Sequence, residues 1–482
     1  MSRSVTFLAL ITLIACPTIT NAADQSLAWP QFRGPEGSGI ADDQRPPIEF
    51  GPEKNVKWKV PVPGGFSSPI VVADLLVMTA FEKGKLYTIA YHRADGSEAW
   101  RAEAPAKQIE AFHRTEGSPA ASTPATDGER IVSYFGSCGL YCYDLKGEEV
   151  WKHEMPTAIT AGDFGTGVSP ILVDGVVVLL RDVKDDPKIL ALDAKTGKRK
   201  WQTKRQSPSG FSTPVVWNTP SGKQIVAPGF GRMIGYDLKS GAEEWFVVGM
   251  PSACCTSPST ADGTLFFAGW SPGDLETEDE NFKMPTFDET LQGFDKDKDG
   301  SISKAETDNT PIQDFFGSMD SNKDGKYTRE ESEEMMKFMA ASKNSAFALK
   351  AGGSGDVTSS HMLWKKTKGL PYVPSAIVYR GQYVMLKDGG LVTAYDAETG
   401  DQVYHKRAIA SGTYYASPVA ANGHIYFTSL ADGTVTVLKA GTKAPEVVAQ
   451  NPPLGERVSA TPALADDTIY LRTAGHLYAF AE

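Results

Sequence analysis

Ser169-Pro170-Ile171-Leu172-Val173-Asp174-Gly175-Val176-Val177-Val178-Leu179-Leu180 is followed by Ile189-Leu190-Ala191-Leu192-Asp193, then by Thr196-Gly197 and Trp201. Both apolar runs are short enough for strands, and the Asp-Gly and Thr-Gly pairs supply the positive-φ positions that tight hairpins demand. The unit therefore reads as four short strands. The same grammar returns at Ser68-Pro69, Thr123-Pro124, Thr213-Pro214, Ser257-Pro258, Ser375-Ala376 (proline lost), Ser417-Pro418 and Thr461-Pro462. Eight units recur with a period of about 44 residues, except that the fifth and sixth openings stand 118 residues apart. A single four-stranded sheet cannot bury both faces, so the units must stack side by side, and a period of about 40 to 50 with four strands means propeller blades. The sequence thus predicts an all-β, eight-bladed β-propeller with an insertion in its fifth blade. The eighth unit stops one strand short, after Leu477-Tyr478-Ala479-Phe480. Asn55-Val56-Lys57-Trp58-Lys59-Val60 is expected to supply the missing strand and close the ring.

Composition agrees with this reading. The 482 residues include 46 Gly and 31 Pro, and 41% are hydrophobic, which suits a large core cut by many turns and excludes an all-α or disordered chain. The net charge of −11 argues against nucleic acid, whose phosphates need a basic footprint, and against anionic membrane surfaces. Residues 1–22 carry one charge, Arg3, then an apolar run from Val5 to Ala15, then small residues to Thr20-Asn21-Ala22, the pattern of a secretory signal peptide. Leu13-Ile14-Ala15-Cys16 also fits a lipobox, which would leave a lipid anchor at Cys16. Export, to periplasm or extracellular space, is expected on either path, with no transmembrane segment. Cys138, Cys142, Cys254 and Cys255 remain in a compartment where disulfides persist. Their pairing stays open, and a bond between the adjacent Cys254 and Cys255 would be strained.

The strongest chemical signal lies in the insertion. Asp295-Lys-Asp297-Lys-Asp299-Gly300-Ser301-Ile302-Ser303-Lys-Ala-Glu306 meets every position of the twelve-residue EF-hand loop: oxygens at 1, 3 and 5, glycine at 6, a carbonyl at 7, and glutamate at 12. Asp320-Ser-Asn322-Lys-Asp324-Gly325-Lys326-Tyr327-Thr328-Arg-Glu-Glu331 repeats it 25 residues later. The expected Ca²⁺ ligands are Asp295, Asp297, Asp299, Ser301, Ser303 and Glu306 in one loop, and Asp320, Asn322, Asp324, Lys326 (through its carbonyl), Thr328 and Glu331 in the other. Ile302 and Tyr327, at position 8, are placed to bridge the loops, and helices are expected over Phe287–Phe294, Ile312–Met319 and Arg329–Met339. From Asp274 to Ser345 the charge is −10, so nearly all the acidity belongs to this module. The expected organisation is a signal peptide over 1–22, blades one to five over 23–270, a calcium-binding EF-hand insert over 271–345, and the remaining propeller over 346–482.

Ala191 to Trp201 resembles the tryptophan-docking repeat of the pyrroloquinoline quinone (PQQ)-like propellers, with close relatives at Gly235 to Trp245, Cys142 to Trp151, Ala90 to Trp100, and Ala394 to Tyr404. The resemblance implies two functional classes. One is a non-enzymatic propeller similar to the outer-membrane-assembly lipoprotein, which binds other exported or envelope proteins with its loops. The alternative is a PQQ- and Ca²⁺-dependent quinoprotein dehydrogenase, an oxidoreductase acting on an alcohol or sugar. In such enzymes adjacent cysteines lie beside the quinone, which makes Cys254, Cys255 and Trp270 the cofactor candidates. No residue of this chain aligns with that class's catalytic Asp or axial calcium ligands, so the catalytic residues are unassigned and the binding reading is preferred. Residues two before each opening (Phe66, Ala121, Gly167, Phe211, Cys255, Val373, Tyr415 and Ser459) are expected to crowd the axial channel.

Overall fold

The structure is a computed structural model that describes residues 28–482, apart from 209, 273, 275–284, 311, 314–315, 323 and 341–342. Residues 1–22, expected as a signal peptide, and Cys16 within them lie outside the described residues. Eight sheets of four antiparallel strands follow one another along the chain, the fourth with a fifth strand added at its edge, and each opening Ser or Thr precedes the first strand of its sheet. Blade three is typical, with strands Ile171–Val173, Val176–Arg181, Lys188–Asp193 and Arg199–Lys204. The second strand is buried on both faces because neighbouring blades cover both. The outermost alternates, with Trp201 inward and Lys200 and Gln202 outward. A β-bulge between third and fourth strands recurs, as at Ala191/Leu192 and Cys142/Tyr143.

The ring closes between the termini. Val56–Pro61 pairs antiparallel with His476–Phe480, completing the blade begun at Ala463. Arg472, 1% exposed, locks that seam: its guanidinium donates to the carbonyls of Pro63, Ser67 and Thr79 and to Ser67 Oγ in the first blade.

Tryptophans join blade to blade. The indole N–H of Trp58, Trp100, Trp151, Trp201 and Trp364 donates to the carbonyl of Arg93, Leu145, Ala194, Leu238 and Ala397 respectively, each in the next blade, at 2.9–3.0 Å. The flat ring lies on that blade's turn glycine. At Gly197, with φ +67°, a Cβ would come within 2.7 Å of the Trp151 ring. Trp245 departs from the expected role: its N–H donates to Gln224 Oε1 within its own blade, and Trp217 reaches blade five instead, at Gly263. The cause is local. Blade five has no Thr-Gly turn before its fourth strand; the longer connection places Gly355–Asp356 as a fifth, parallel strand beside Trp245 and Phe246. Tyr404, where Tyr replaces Trp in blade six, is buried.

Blade five is built from Ser259–Ala261, Thr264–Gly269, Ser345–Lys350 and Met362–Lys366, with Gly269 paired to Ser345. Between its second and third strands come α1 (Phe287–Phe294), α2 (Phe316–Met319) and α3 (Arg329–Ala340). Thr286 and Glu289 form a capping box at the start of α1. Ile302–Ser303 pairs antiparallel with Lys326–Tyr327, and Phe287, Ile302, Phe316 and Tyr327 make a small core of their own. The root of this segment is tied by a reciprocal pair: Ser271 N donates to Asn344 Oδ1 at 2.8 Å, and Asn344 Nδ2 donates back to Ser271 O at 2.9 Å.

Candidate functional site

The opening Ser and Thr residues form a closed ring of hydrogen bonds around the axis. Ser68 N donates to Thr123 Oγ1, Thr123 N to Ser169 Oγ, Ser169 N to Thr213 Oγ1, and Thr213 N to Ser257 Oγ. The series continues through Ser375, Ser417 and Thr461, whose N–H returns to Ser68 Oγ, all at 2.9–3.1 Å. This accounts for a hydroxyl at every opening while the proline can lapse at Ala376: the hydroxyl, not the ring of proline, satisfies the neighbour's buried N–H.

A cavity of about 460 Å³ lies along the axis, and all eight residues placed two before the openings line it. Phe32, Phe164 and Tyr372 add aromatic wall, and Glu116 is the only carboxylate among the described residues that line it. Arg457 lies over the rings of both Phe66 and Tyr415, 5.6 and 5.4 Å from their centroids, and its buried Nη2 has no hydrogen-bond partner. Behind the Phe211 wall, Arg205 and Asp182 form a buried two-point ion pair at 2.7 and 3.1 Å, and Arg205 also donates to Tyr236 Oη. Burial pushes the Asp182 carboxyl up, against the pull of Arg205.

One end of the axis is floored by the segment before the closing strand, which the repeat pattern does not reveal. Residues 29–50 hydrogen-bond to six blades: Trp29 exchanges backbone bonds with Val71, Pro30 accepts from Thr126, and Arg33 donates to Ser259 Oγ and to Ala376 O at 2.6 Å. Ala41 pairs with Ala420, Phe50 donates to Asn451, and Arg45 donates to Asp467. Arg33 is 1% exposed, and burial lowers its pKa to about 10. Phe32, its neighbour, points the same segment into the cavity. The signal in the sequence was the aromatic and cationic run Trp29-Pro30-Gln31-Phe32-Arg33, out of keeping with an exposed leader.

On the opposite side of the hydroxyl ring the two acidic loops share one hydrogen-bond pattern. Gly300 N (φ +84°) donates to Asp295 Oδ2 and Gly325 N (φ +89°) to Asp320 Oδ2. Glu306 receives the N–H groups of Lys296, Asp297 and Ser303, and Glu331 receives those of Ser321, Asn322 and Thr328. Asp295, Asp297 and Asp299 bring ligand oxygens within 4.8 Å of one another, and Asp295 Oδ1 is buried without a partner. Backbone donation, chiefly from Ser303, holds Glu306 down to about 2, and the Lys326 ammonium 2.8 Å from Asp299 holds that carboxyl at about 2. Both stay ionised across the working pH range, as cation ligands must. Ser301 and Ser303 face Asp299 and Glu306, Asn322 and Lys326 join Asp324, and Thr328 donates to Glu331.

The cysteines depart from the disulfide expectation. Cys138, Cys142, Cys254 and Cys255 are all free thiols. Cys138 and Cys142 sit in separate apolar clusters, and Cys254 is buried with Sγ 3.8 Å from the carbonyls of Gly229 and Pro251. Cys255 alone of the four lines the cavity. Trp270 stands edge-on to Tyr372 at 5.5 Å and is not among the lining residues. Arg181 is buried against Pro156 O, and Arg232 lies 4.0 Å over Phe246. This lining does not fit a calcium-assisted quinone: one carboxylate and no paired cysteines stand where such a group would need several oxygen ligands.

Eight four-stranded blades with docked tryptophans and a shared closing blade define a PQQ-like β-propeller. The chain belongs to the family described as outer membrane protein assembly factor BamB, whose profile matches residues 51–164, 89–253 and 342–481. No curated protein matches in sequence. The fold is similar to BamB from Moraxella catarrhalis (13% identity, 88% of this chain and 98% of that one, TM-score 0.52). It is also similar to the quinohemoprotein alcohol dehydrogenase from Comamonas testosteroni (12%, 97% and 82%, 0.54) and to a europium-containing methanol dehydrogenase (12%, 93% and 96%, 0.51). At these identities the likeness is one of fold. No helix among the described residues is long and apolar enough to cross a membrane.

Proposed function

We propose that this chain is an exported, calcium-binding propeller that works as a binding or scaffold protein, with the mouth of the axial cavity and the loops around it as the contact face and Ca²⁺ held by two EF-hand loops of the insert. The observation that carries the calcium reading is the identical cradle in both loops, with an oxygen of Asp295 buried and unpartnered among the carboxylates. Family membership supports a role in the cell envelope, facing other exported proteins; the leader-like residues 1–22 and the lipobox at Cys16 support export with or without a lipid anchor. Outside the cytosol calcium is abundant, so sites of Kd on the order of 10⁻⁴ to 10⁻³ M remain filled.

The runner-up is a PQQ- and Ca²⁺-dependent quinoprotein dehydrogenase. The aromatic cavity and the stacked Arg457 favour it; the shortage of axial oxygen ligands opposes it. Purified protein mixed with PQQ and Ca²⁺ separates the two readings. The binding reading expects the absorption spectrum to be the sum of its parts and no alcohol-dependent dye reduction. A bound-quinone spectrum with turnover would replace it with the enzyme.

A further inference from the structure

The insert does not stand clear of the propeller. Met335 of α3 lines the axial cavity, as do Ser271 and Pro272 at the insert's root. α2 rests on the turn Ala161–Asp163, whose Ala161 and Gly162 line the same cavity. One helix of the insert, α3, therefore roofs the cavity through Met335, and α2 braces the turn beside it, on the side away from the Phe32 floor. Glu331, the twelfth residue of the second loop, belongs to α3, and Met335 lies four residues on, one turn further along the same face. Whatever engages the Glu331 carboxylate thus acts on the helix whose next turn is cavity wall.

We propose that Ca²⁺ at the second loop controls access to the axial cavity, by seating α3 so that Met335 closes over it. This rests on the calcium reading above. Calcium drawing together Asp320, Asn322, Asp324 and Glu331 fixes the start of α3 against the loop; without it the Glu331 carboxylate is held, among the described residues, by the N–H groups of Ser321, Asn322 and Thr328 and by the Thr328 and Ser321 hydroxyls. The first loop shares the small core, but none of its residues lines the cavity. Linkage requires reciprocity, so an occupant that needs the roof raised weakens calcium at the second loop by the same factor.

Cys255 is a reporter already in place, being the one free thiol of the described residues that lines the cavity. Mature protein is treated with a methanethiosulfonate reagent in chelator or in millimolar Ca²⁺, and labelling at Cys255 is timed by peptide mapping. Calcium should slow Cys255 at least fivefold. E331Q should abolish that protection, E306Q should keep it, and M335A should label fast in both conditions. Titration calorimetry of the same samples separates the layers. Two bound ions with an unchanged Cys255 rate would overturn the coupling alone; no bound ion would overturn the calcium reading and the coupling with it. Protection lost equally in E306Q and E331Q would assign it to the insert as a whole and overturn the role given to the second loop.

Discussion

Replacing Ser375 by Ala removes one link of the axial hydroxyl ring. Its Oγ accepts from Ser257 N at 2.9 Å, and neither residue lines the cavity. Ser375 is 1% exposed and Ser257 5%, so the orphaned N–H bears the desolvation cost of a buried donor, about 2–3 kcal/mol. Ser169, by contrast, lines the cavity, where water can reach the freed N–H of Thr123, so S169A should cost about 1–2 kcal/mol. For a chain of this length, 1 kcal/mol moves Tm by only about 1 °C, so guanidinium unfolding is the better assay, read as a shift in midpoint at constant slope. S375T should be close to wild type, since Thr123, Thr213 and Thr461 already serve in the ring. S375A within about 0.5 kcal/mol of wild type, or S375T as damaging as S375A, would refute the ring as a source of stability.

The docking turns yield a graded test: G197A, forced against Trp151 at positive φ, should cost about 2–4 kcal/mol, whereas G175A, at φ +73° with open space around it, should cost only about 1–2, by the same unfolding assay. Glu110 is 1% exposed, with Oε1 bonded to Thr166 and Oε2 unpartnered, and burial raises its carboxyl from an ordinary 4.5 to about 8. The folded state then holds a proton that the unfolded state has lost, so stability falls as pH rises between those values, by at most about 1.4 kcal/mol per pH unit. E110Q should flatten that fall and exceed wild type at pH 8.5; parallel melting curves for the two proteins from pH 5.5 to 8.5 would contradict it. Deleting residues 273–344 and joining the ends by a short Gly-Ser turn should leave a β-rich far-UV dichroism spectrum with the helical component lost, because Gly269 and Ser345 already face each other across a hairpin. K326M, which frees Asp299 from an exposed ion pair, should tighten calcium at the first loop two- to threefold in calorimetry.

The repeat was legible because each blade must solve the same local problem with the same residues: a hydroxyl at the axis, an Asp-Gly or Thr-Gly turn, a tryptophan at the rim. Residues placed two before each opening could be assigned to the axis by period alone, and the structure brings all eight to one cavity. The closing strand was legible from a count one strand short. What period cannot show is what happens once. The floor segment around Phe32 and Arg33 has no counterpart to compare, and Trp245 gives up its docking role because of a strand, Gly355–Asp356, contributed by the following blade. The free thiols follow from tertiary placement, as four cysteines permit several pairings and the fold separates them. The closeness of α3 to the axis is of the same kind: Met335 reads as one more apolar helix residue until the blade beneath it is in view.

The central claim, that the insert is a pair of calcium loops on a propeller, is tested most directly by calorimetric titration of chelator-treated protein with Ca²⁺. The account predicts two ions per chain, the first loop the tighter with four carboxylates (Asp295, Asp297, Asp299, Glu306) against three (Asp320, Asp324, Glu331), each site lost singly in E306Q and E331Q while the propeller's melting transition moves by no more than a few degrees. Absence of binding up to about 10 mM Ca²⁺, an order of magnitude beyond the weakest extracellular sites, or full binding retained in both variants, would contradict it.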